Sequence, residues 1–376
     1  MALRRNRLVN LQKLSVTNFK NYEEATLLFS DKINCFIGDN GSGKTNLLDA
    51  IHYLSFCKSY FNPVDTQNIR HGESFFSIHG TYLKNGDSPD MISCIQKTEY
   101  RKVFKINQKE YDRLSDHIGL FPLVMVSPYD RDLINEGSEV RRRYLDGVIS
   151  QFDKSYLDDL INYNKALAQR NALLKHFADT KTFNSSMVDI WDRQLSDYGH
   201  KIHNKRTAFL KDFIPVFQRY FEFISEGKET VSIKYVSQLF DRGLDELLAI
   251  SIDKDCLARY TTQGIHKDDL EFVISGYPLK KFGSQGQQKS FVVAIKLAQF
   301  DYTRDVKGFK PVLLFDDIFD KLDDKRVHQI IRLVSENSFG QVFVTDTQRS
   351  RIEKLFLEVK IDHKIFEIST GKVQEL

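Results

Sequence analysis

The stretch Gly38-Asp39-Asn40-Gly41-Ser42-Gly43-Lys44-Thr45-Asn46 constrains this chain more than any other, because it fits the pattern of glycine, four residues, then Gly-Lys-[Ser/Thr]. Before it, Ile33-Asn34-Cys35-Phe36-Ile37 is apolar and β-branched enough to be a buried strand. After it, Leu47, Leu48, Ala50, Ile51 and Leu54 recur at helical spacing. Strand, loop and helix in that order are the context the motif requires. Glycines let such a loop wrap until successive backbone N–H groups point inward, and the helix adds its positive end behind them. That cradle suits the phosphates of a nucleotide. Lys44 is expected to reach the β- and γ-phosphates as a point charge, and the Thr45 hydroxyl to ligate Mg²⁺.

A second half of the site stands far downstream. Lys310-Pro311-Val312-Leu313-Leu314-Phe315-Asp316-Asp317 reads as a buried strand delivering two carboxylates to its C-terminal edge. Asp316 is expected in the Mg²⁺ shell and Asp317 beside the attacking water. Lys44 and Asp316 together predict an α/β core assembled from both chain ends, residues 1–135 and 300–376, with a mostly helical lobe, 136–299, inserted. Between them, Phe282-Gly283-Ser284-Gln285-Gly286-Gln287-Gln288-Lys289 leads into an apolar helix, a second anion-binding design that by itself is no more than a glycine-rich N-cap.

The inserted region is striped. Leu157, Leu160, Ile161, Leu167, Ala168 and Leu174, then Trp191, Leu195, Tyr198, Ile202, Phe209 and Phe213, predict two antiparallel helices packed on each other. Arg170, Lys201, Lys205 and Arg206 are expected on the outward side. A solvated face and a DNA-contacting face both explain them. Candidates for DNA contact are Arg141, Arg142, Lys201, Lys205 and Arg206; for Arg141 and Arg142, pairing with Asp146 or nearby acids is an equal alternative.

Composition bounds the rest. With 54 basic and 51 acidic residues the net charge is +3, so any nucleic-acid surface must be a local patch. Four dispersed cysteines argue against zinc and against a disulfide framework. The basic start has no apolar segment after it, and runs such as Phe291 to Ile295 are too short to cross a bilayer. A cytoplasmic protein is expected.

Ser284-Gln285-Gly286-Gln287-Gln288 resembles the signature motif of ABC-type ATPases, and Phe319-Asp320-Lys321-Leu322-Asp323 resembles their D-loop. Within that superfamily the chain resembles the RecF family of bacterial recombination and repair ATPases, relatives of the SMC proteins. Asn18 to Tyr22, residues 38–46, Arg70-His71-Gly72, Ser127-Pro128, Arg141-Arg142 with Tyr144-Leu145-Asp146, Gln169-Arg170-Asn171, His266 to Leu270 and residues 313–323 carry the likeness. It departs at Phe61, Tyr129, Ile265, Asp320 and Lys321, and no histidine follows residues 341–347, where Thr345 or Asp346 stands in the switch position.

The resemblance implies an ABC-type P-loop ATPase lobe and ATP with Mg²⁺ as ligands. It also implies an ATP-dependent head-to-tail homodimer in which Ser284, Gly286 and Gln287 of one copy close on the nucleotide held by the other. Lys44, Asp317 and Ser284 would then be the catalytic set, with slow, DNA-stimulated ATP hydrolysis. DNA with little sequence preference, RecR/RecO-like and RecA-like proteins are the implied partners, in repair and replication-fork maintenance. The alternatives are an ATPase subunit of another ABC-type complex, such as a transporter, and an ATP-binding scaffold with negligible turnover.

Overall fold

The computed structural model describes residues 7–84, 88–318, 329, 339–349 and 362–376. Its chain divides into two compact bodies. The first groups Met1–Arg131, Tyr220–Gly227 and Ser284–Leu376; the second groups Asp132–Arg219 and Lys228–Gly283. The D-loop assigned to Phe319-Asp320-Lys321-Leu322-Asp323 lies outside the described residues.

The first body begins with β1 (Arg7–Phe19), β2 (Tyr22–Leu28), β3 (Ile33–Ile37), α1 (Lys44–Phe56) and β4 (Phe75–Lys84). It continues with β5 (Asp90–Lys97), β6 (Val103–Ile106), β7 (Lys109–Glu110) and β8 (Leu123–Val126). The inserted body holds α2 (Asp132–Asn135), α3 (Ser138–Ser150), α4 (Lys154–Thr180), α5 (Ser185–Ser225), β9 (Val231–Val236), α6 (Leu244–Ala258), β10 (Asp269–Ile274), β11 (Tyr277–Pro278) and α7 (Leu279–Phe282); the end of α5, from Tyr220, groups with the first body. The chain then returns with α8 (Gln285–Lys307), β12 (Phe309–Lys310), β13 (Val312–Phe315), β14 (Val342–Asp346), β15 (His363–Ser369) and β16 (Lys372–Glu375).

Strands from both chain ends interleave in one six-stranded sheet, β16-β15-β3-β14-β13-β8, parallel except where β15 meets β16. β3, β8, β13 and β14 are buried at every position, as strands covered on both faces must be. A second sheet runs β12-β1-β4-β5-β6-β7, with β2 also on β1. Between the sheets lies α1, touching β1, β4 and β5 of one and β8 and β14 of the other. Leu47, Leu48, Ala50, Ile51, Tyr53 and Leu54 are accordingly buried all round the helix. The strand expected over residues 310–317 is divided at Pro311: β12 pairs with β1, β13 with β8 and β14. A residue without an N–H is suited to that change of sheet.

Two expectations are corrected. The boundary near residue 300 falls at Ser284, and the signature segment belongs to the nucleotide-binding body, not to the inserted one. The reason is α8, which packs on β8 and β12 and buries every residue from Phe291 to Phe300, so it is a sheet-covering helix. Arg170 and Arg206, expected outward, are 0% and 1% exposed. Arg206 donates to Asp146 and Asp268, both at 2.8 Å, and to the Ile265 carbonyl at 3.0 Å. Arg170 pairs with Asp192 and Asp255, each at 2.6 Å. A guanidinium with this many donors answered is a tie between α3, α4, α5 and α6, and Arg206 has no surface to offer DNA.

Arg206→Ala is expected to lower the unfolding free energy of the inserted body by about 3–5 kcal/mol, because Asp268 is left buried with its charge unanswered. Denaturant titration followed by circular dichroism measures this; a loss under about 1 kcal/mol would show the arginine to be dispensable.

Candidate nucleotide-binding site

The loop after β3 has the form a phosphate cradle needs. Gly38, Gly41 and Gly43 hold φ of 152°, 79° and 117°, in the region that favours glycine. At Gly38 a Cβ would lie 2.2 Å from the Ile368 carbonyl oxygen of β15, so the close approach of loop to sheet also excludes a side chain. Lys44 opens α1, and its ammonium donates to the carbonyls of Gly38 at 2.7 Å and Asp39 at 2.9 Å, which places it across the loop's mouth. The buried Ser42 hydroxyl has no hydrogen-bond partner among the described residues, a donor that an anion would satisfy. A cleft of about 460 Å³ opens on the loop, with Thr347, Arg349, Glu367 and Thr370 on its other walls. Asp39, Asn40 and Gly41 are exposed along its lip.

The second half of the site arrives beside it. The Thr45 hydroxyl donates to Asp316 Oδ1 at 2.8 Å, joining α1 to the end of β13. Thr345, on β14 between β3 and β13, donates to the same oxygen at 2.9 Å and accepts the Asp317 N–H at 2.9 Å. Asp317 is held at φ 44°, an uncommon conformation for a residue other than glycine. Sequence reasoning placed Thr345 only as a switch candidate. Its role as a bridge between the two acids follows from strand order, which no local pattern states.

Burial pushes the Asp316 carboxyl up to about 6; Asp317 works in the same direction, while the hydrogen bonds from Thr45 and Thr345 oppose it. A hydroxyl and a carboxylate on one small volume form a hard-oxygen donor pair that fits Mg²⁺. Among the described residues no group of three or more His, Cys, Asp or Glu could hold an ion, so water or phosphate oxygens would complete a shell here.

Ser284 caps α8 in a closed box: its Oγ accepts the Gln287 N–H at 3.2 Å, and the Gln287 side chain accepts the Ser284 N–H at 2.7 Å. Ser284 and Gln285 are exposed, Gly286 and Gln287 half-buried, at the positive end of a 23-residue helix. Asp130, after β8, fastens that helix through a buried pair with Lys296 at 2.7 Å.

The DNA candidates separate. Arg141 makes a forked contact with Asp269 at 2.7 and 2.9 Å, and Arg142 donates to the Asp268 carbonyl at 2.6 Å. Both are engaged within the inserted body, through Asp268 and Asp269. Lys201 is exposed beside Asp197, and Lys205 is half-buried beside Asp153.

A family model described as RecF/RecN/SMC N terminal domain matches residues 10–365. A DNA replication and repair protein RecF of Flavobacterium johnsoniae is 51% identical over 360 residues, covering 96% of this chain and 100% of that one. Its namesake from Phocaeicola vulgatus is 49% identical over 366 residues, covering 97% and 98%. Among solved structures, the recombination mediator protein RecF-ATP in the RecFOR pathway superposes with a TM-score of 0.89 at 30% identity, covering 98% of both chains. An Smc head domain from Pyrococcus furiosus gives 0.58 at 16% identity over 98% and 96%, a likeness of fold alone.

Because the folded-state value of Asp316 lies above its ordinary one, its contribution to stability is present below about pH 4 and lost as pH rises through about 6. Asp316→Asn is therefore expected to stabilise the nucleotide-free, metal-free protein at pH 7.5 by up to about 3 kcal/mol, with the gap closing below pH 4. The same variant should lose Mg²⁺-dependent nucleotide binding. Thermal unfolding across pH checks the first; equal stability of variant and parent at pH 7.5 would contradict it.

Proposed function

The chain belongs to the RecF branch of the RecF/RecN/SMC family, and from that premise we propose that it is an ATP-binding DNA repair protein whose nucleotide site is completed by a second copy. The observation that carries the reading is the pairing of two unlike anion sites in one body. One is the loop with Lys44 and the Thr45–Asp316 contact; the other is the exposed, Ser284-capped end of α8. One triphosphate needs both kinds of donor, and a head-to-tail dimer supplies them from different chains.

In this reading the loop amides and Lys44 hold the β- and γ-phosphates, and Thr45 and Asp316 hold Mg²⁺, which when bound neutralises phosphate charge. Asp317 orients the attacking water. Ser284, whose hydroxyl hydrogen is not committed by the cap, donates to the γ-phosphate of the facing copy together with the Gly286 amide, while the Gln287 N–H stays on the Ser284 Oγ and holds the cap in shape. Catalysis then needs placement and charge neutralisation alone. Because the γ-phosphate is shared, ATP joins the protomers and slow hydrolysis releases them. DNA is held mainly through its phosphates, with Lys201 and Lys205 as the remaining basic candidates, so binding weakens steeply with salt. RecO- and RecR-like proteins and the loading of a RecA-like protein at gapped DNA complete the proposal, by kinship with the relatives above.

Asp317→Asn is expected to trap an ATP-bound dimer and to cut phosphate release at least 100-fold, while Lys44→Ala abolishes nucleotide binding. Ser284→Arg should bind ATP and stay monomeric. Size-exclusion chromatography with ATP and Mg²⁺ reads all three; an Asp317→Asn monomer or a Ser284→Arg dimer would refute the shared site.

A further inference from the structure

We infer that Asn21 and Tyr22 are positioning residues for phosphate binding: from the turn between β1 and β2 they aim the Gly43 and Lys44 amides into the loop. The inference rests on the nucleotide-binding reading above and deepens it.

Peptide geometry carries the argument. Asn21 Nδ2 donates to the Ser42 carbonyl at 2.9 Å, and the Tyr22 hydroxyl donates to the Gly43 carbonyl at 3.0 Å. The Gly371 N–H reaches the Ser42 carbonyl as well, at 3.2 Å. In a planar trans peptide the C=O and the following N–H point in opposite directions. A Ser42 carbonyl tied outward therefore turns the Gly43 N–H inward; the Gly43 carbonyl, which also accepts the Asn46 and Leu47 N–H groups of α1 at 3.0 and 3.3 Å, does the same for Lys44, with the Tyr22 hydroxyl as a further donor. These are two of the inward N–H groups a phosphate cradle requires.

The turn is built to hold that place. Asn18 and Lys20 both adopt left-handed backbone, with φ of 50° and 53°. Such a shape persists only where its surroundings fix it. Here the Lys20 N–H donates to the Asn68 carbonyl and the Arg70 N–H to the Asn18 carbonyl, each at 2.8 Å. Lys20 also reaches Asp49 of α1 at 2.5 Å. Asn21 is oriented in turn by Asn46, whose side-chain amide donates to Asn21 Oδ1 at 2.7 Å. The approach is so close that a Cβ on Gly43 would stand 2.4 Å from Asn21 Nδ2 and 2.9 Å from the Tyr22 hydroxyl. The glycine before Lys44 is thus required by the turn behind the loop, in addition to any ligand in front of it. Asn18 to Tyr22 and Arg70-His71-Gly72, two stretches of family likeness with no chemistry of their own, become parts of one support.

The test uses the full chain with Tyr22→Phe, which removes only a hydroxyl, and Asn21→Ala. Fluorescent ATP and ADP analogues give affinities, steady-state turnover gives KM and kcat, and thermal unfolding without nucleotide reports the fold. Each variant is expected to bind ATP and ADP about fivefold more weakly, the worth of one neutral hydrogen bond. KM rises by the same factor with kcat kept, because ground and transition states lose the same amide contacts. The unfolding midpoint without nucleotide should fall by no more than about 2–4 °C, the cost of one hydrogen bond already made in the nucleotide-free fold, so both variants remain folded at the assay temperature. If the parent binds and both variants bind both nucleotides within twofold of it, the inference is overturned and the nucleotide reading stands. If affinity falls only at temperatures where the variant has begun to unfold, the residues are structural and the inference is again overturned. A parent that binds neither nucleotide sinks the underlying reading and the inference with it.

Discussion

A carboxylate placed beside a phosphate loop is disfavoured twice, by burial and by the charge it will face. Asp316 meets both conditions, and two threonine hydroxyls on one of its oxygens oppose them, with the Lys44 charge adding to their effect. The rest of the core follows from bringing those three residues together. Thr45 belongs to the first turn of α1, Asp316 follows β13, and Thr345 rides on β14 between β13 and β3. Adjacent strands lie about 4.8 Å apart, so a side chain on the middle strand can span to its neighbour's end where no residue on β3 could. The parallel order of the sheet is therefore a condition of the site's chemistry as well as of its core.

The inserted body solves a different problem with the same means. Its helices are marked by charges at helical spacing, yet two of those charges point inward. Arg206 answers acids from α3 and from the segment before β10, and Tyr235 donates to the same Asp268. Arg170 answers α5 and α6 together. A tie of this kind adds little net free energy compared with apolar packing, but removing one partner leaves a buried charge unanswered and is costly. Within the inserted body the helices are joined by such ties, with their apolar stripes supplying the burial.

How much of this was legible depended on how local each feature is. The loop and the strand ahead of Asp316 are contiguous in sequence, and residue type and period suffice for them. Strand order is not contiguous, so the bridge made by Thr345, the change of sheet at Pro311 and the support of the loop by Asn21 and Tyr22 left no pattern to read. Burial direction is equally hidden. An arginine at helical spacing looks solvated until its carboxylates arrive from other elements, which misplaced Arg170 and Arg206. The long apolar helix α8 looked continuous with the inserted helices, and only its packing on β8 and β12 assigns it to the other body. Family likeness reached further than pattern, because it reports motifs without needing their physical reason.

The interleaving of strands from the two ends has a consequence for how the molecule is born. β3 is flanked by β14 on one side and β15 on the other, so this strand of the nucleotide core has no neighbour in its sheet until residues 342–346 have been made. At about 5–20 residues per second, the edges of β3 wait tens of seconds for their partners, while α1 already has β1, β4, β5 and β8 to pack on. The inserted segment has all its strands and helices by then and is able to close first, so the open edges of β3 are the part of the core that waits longest for burial.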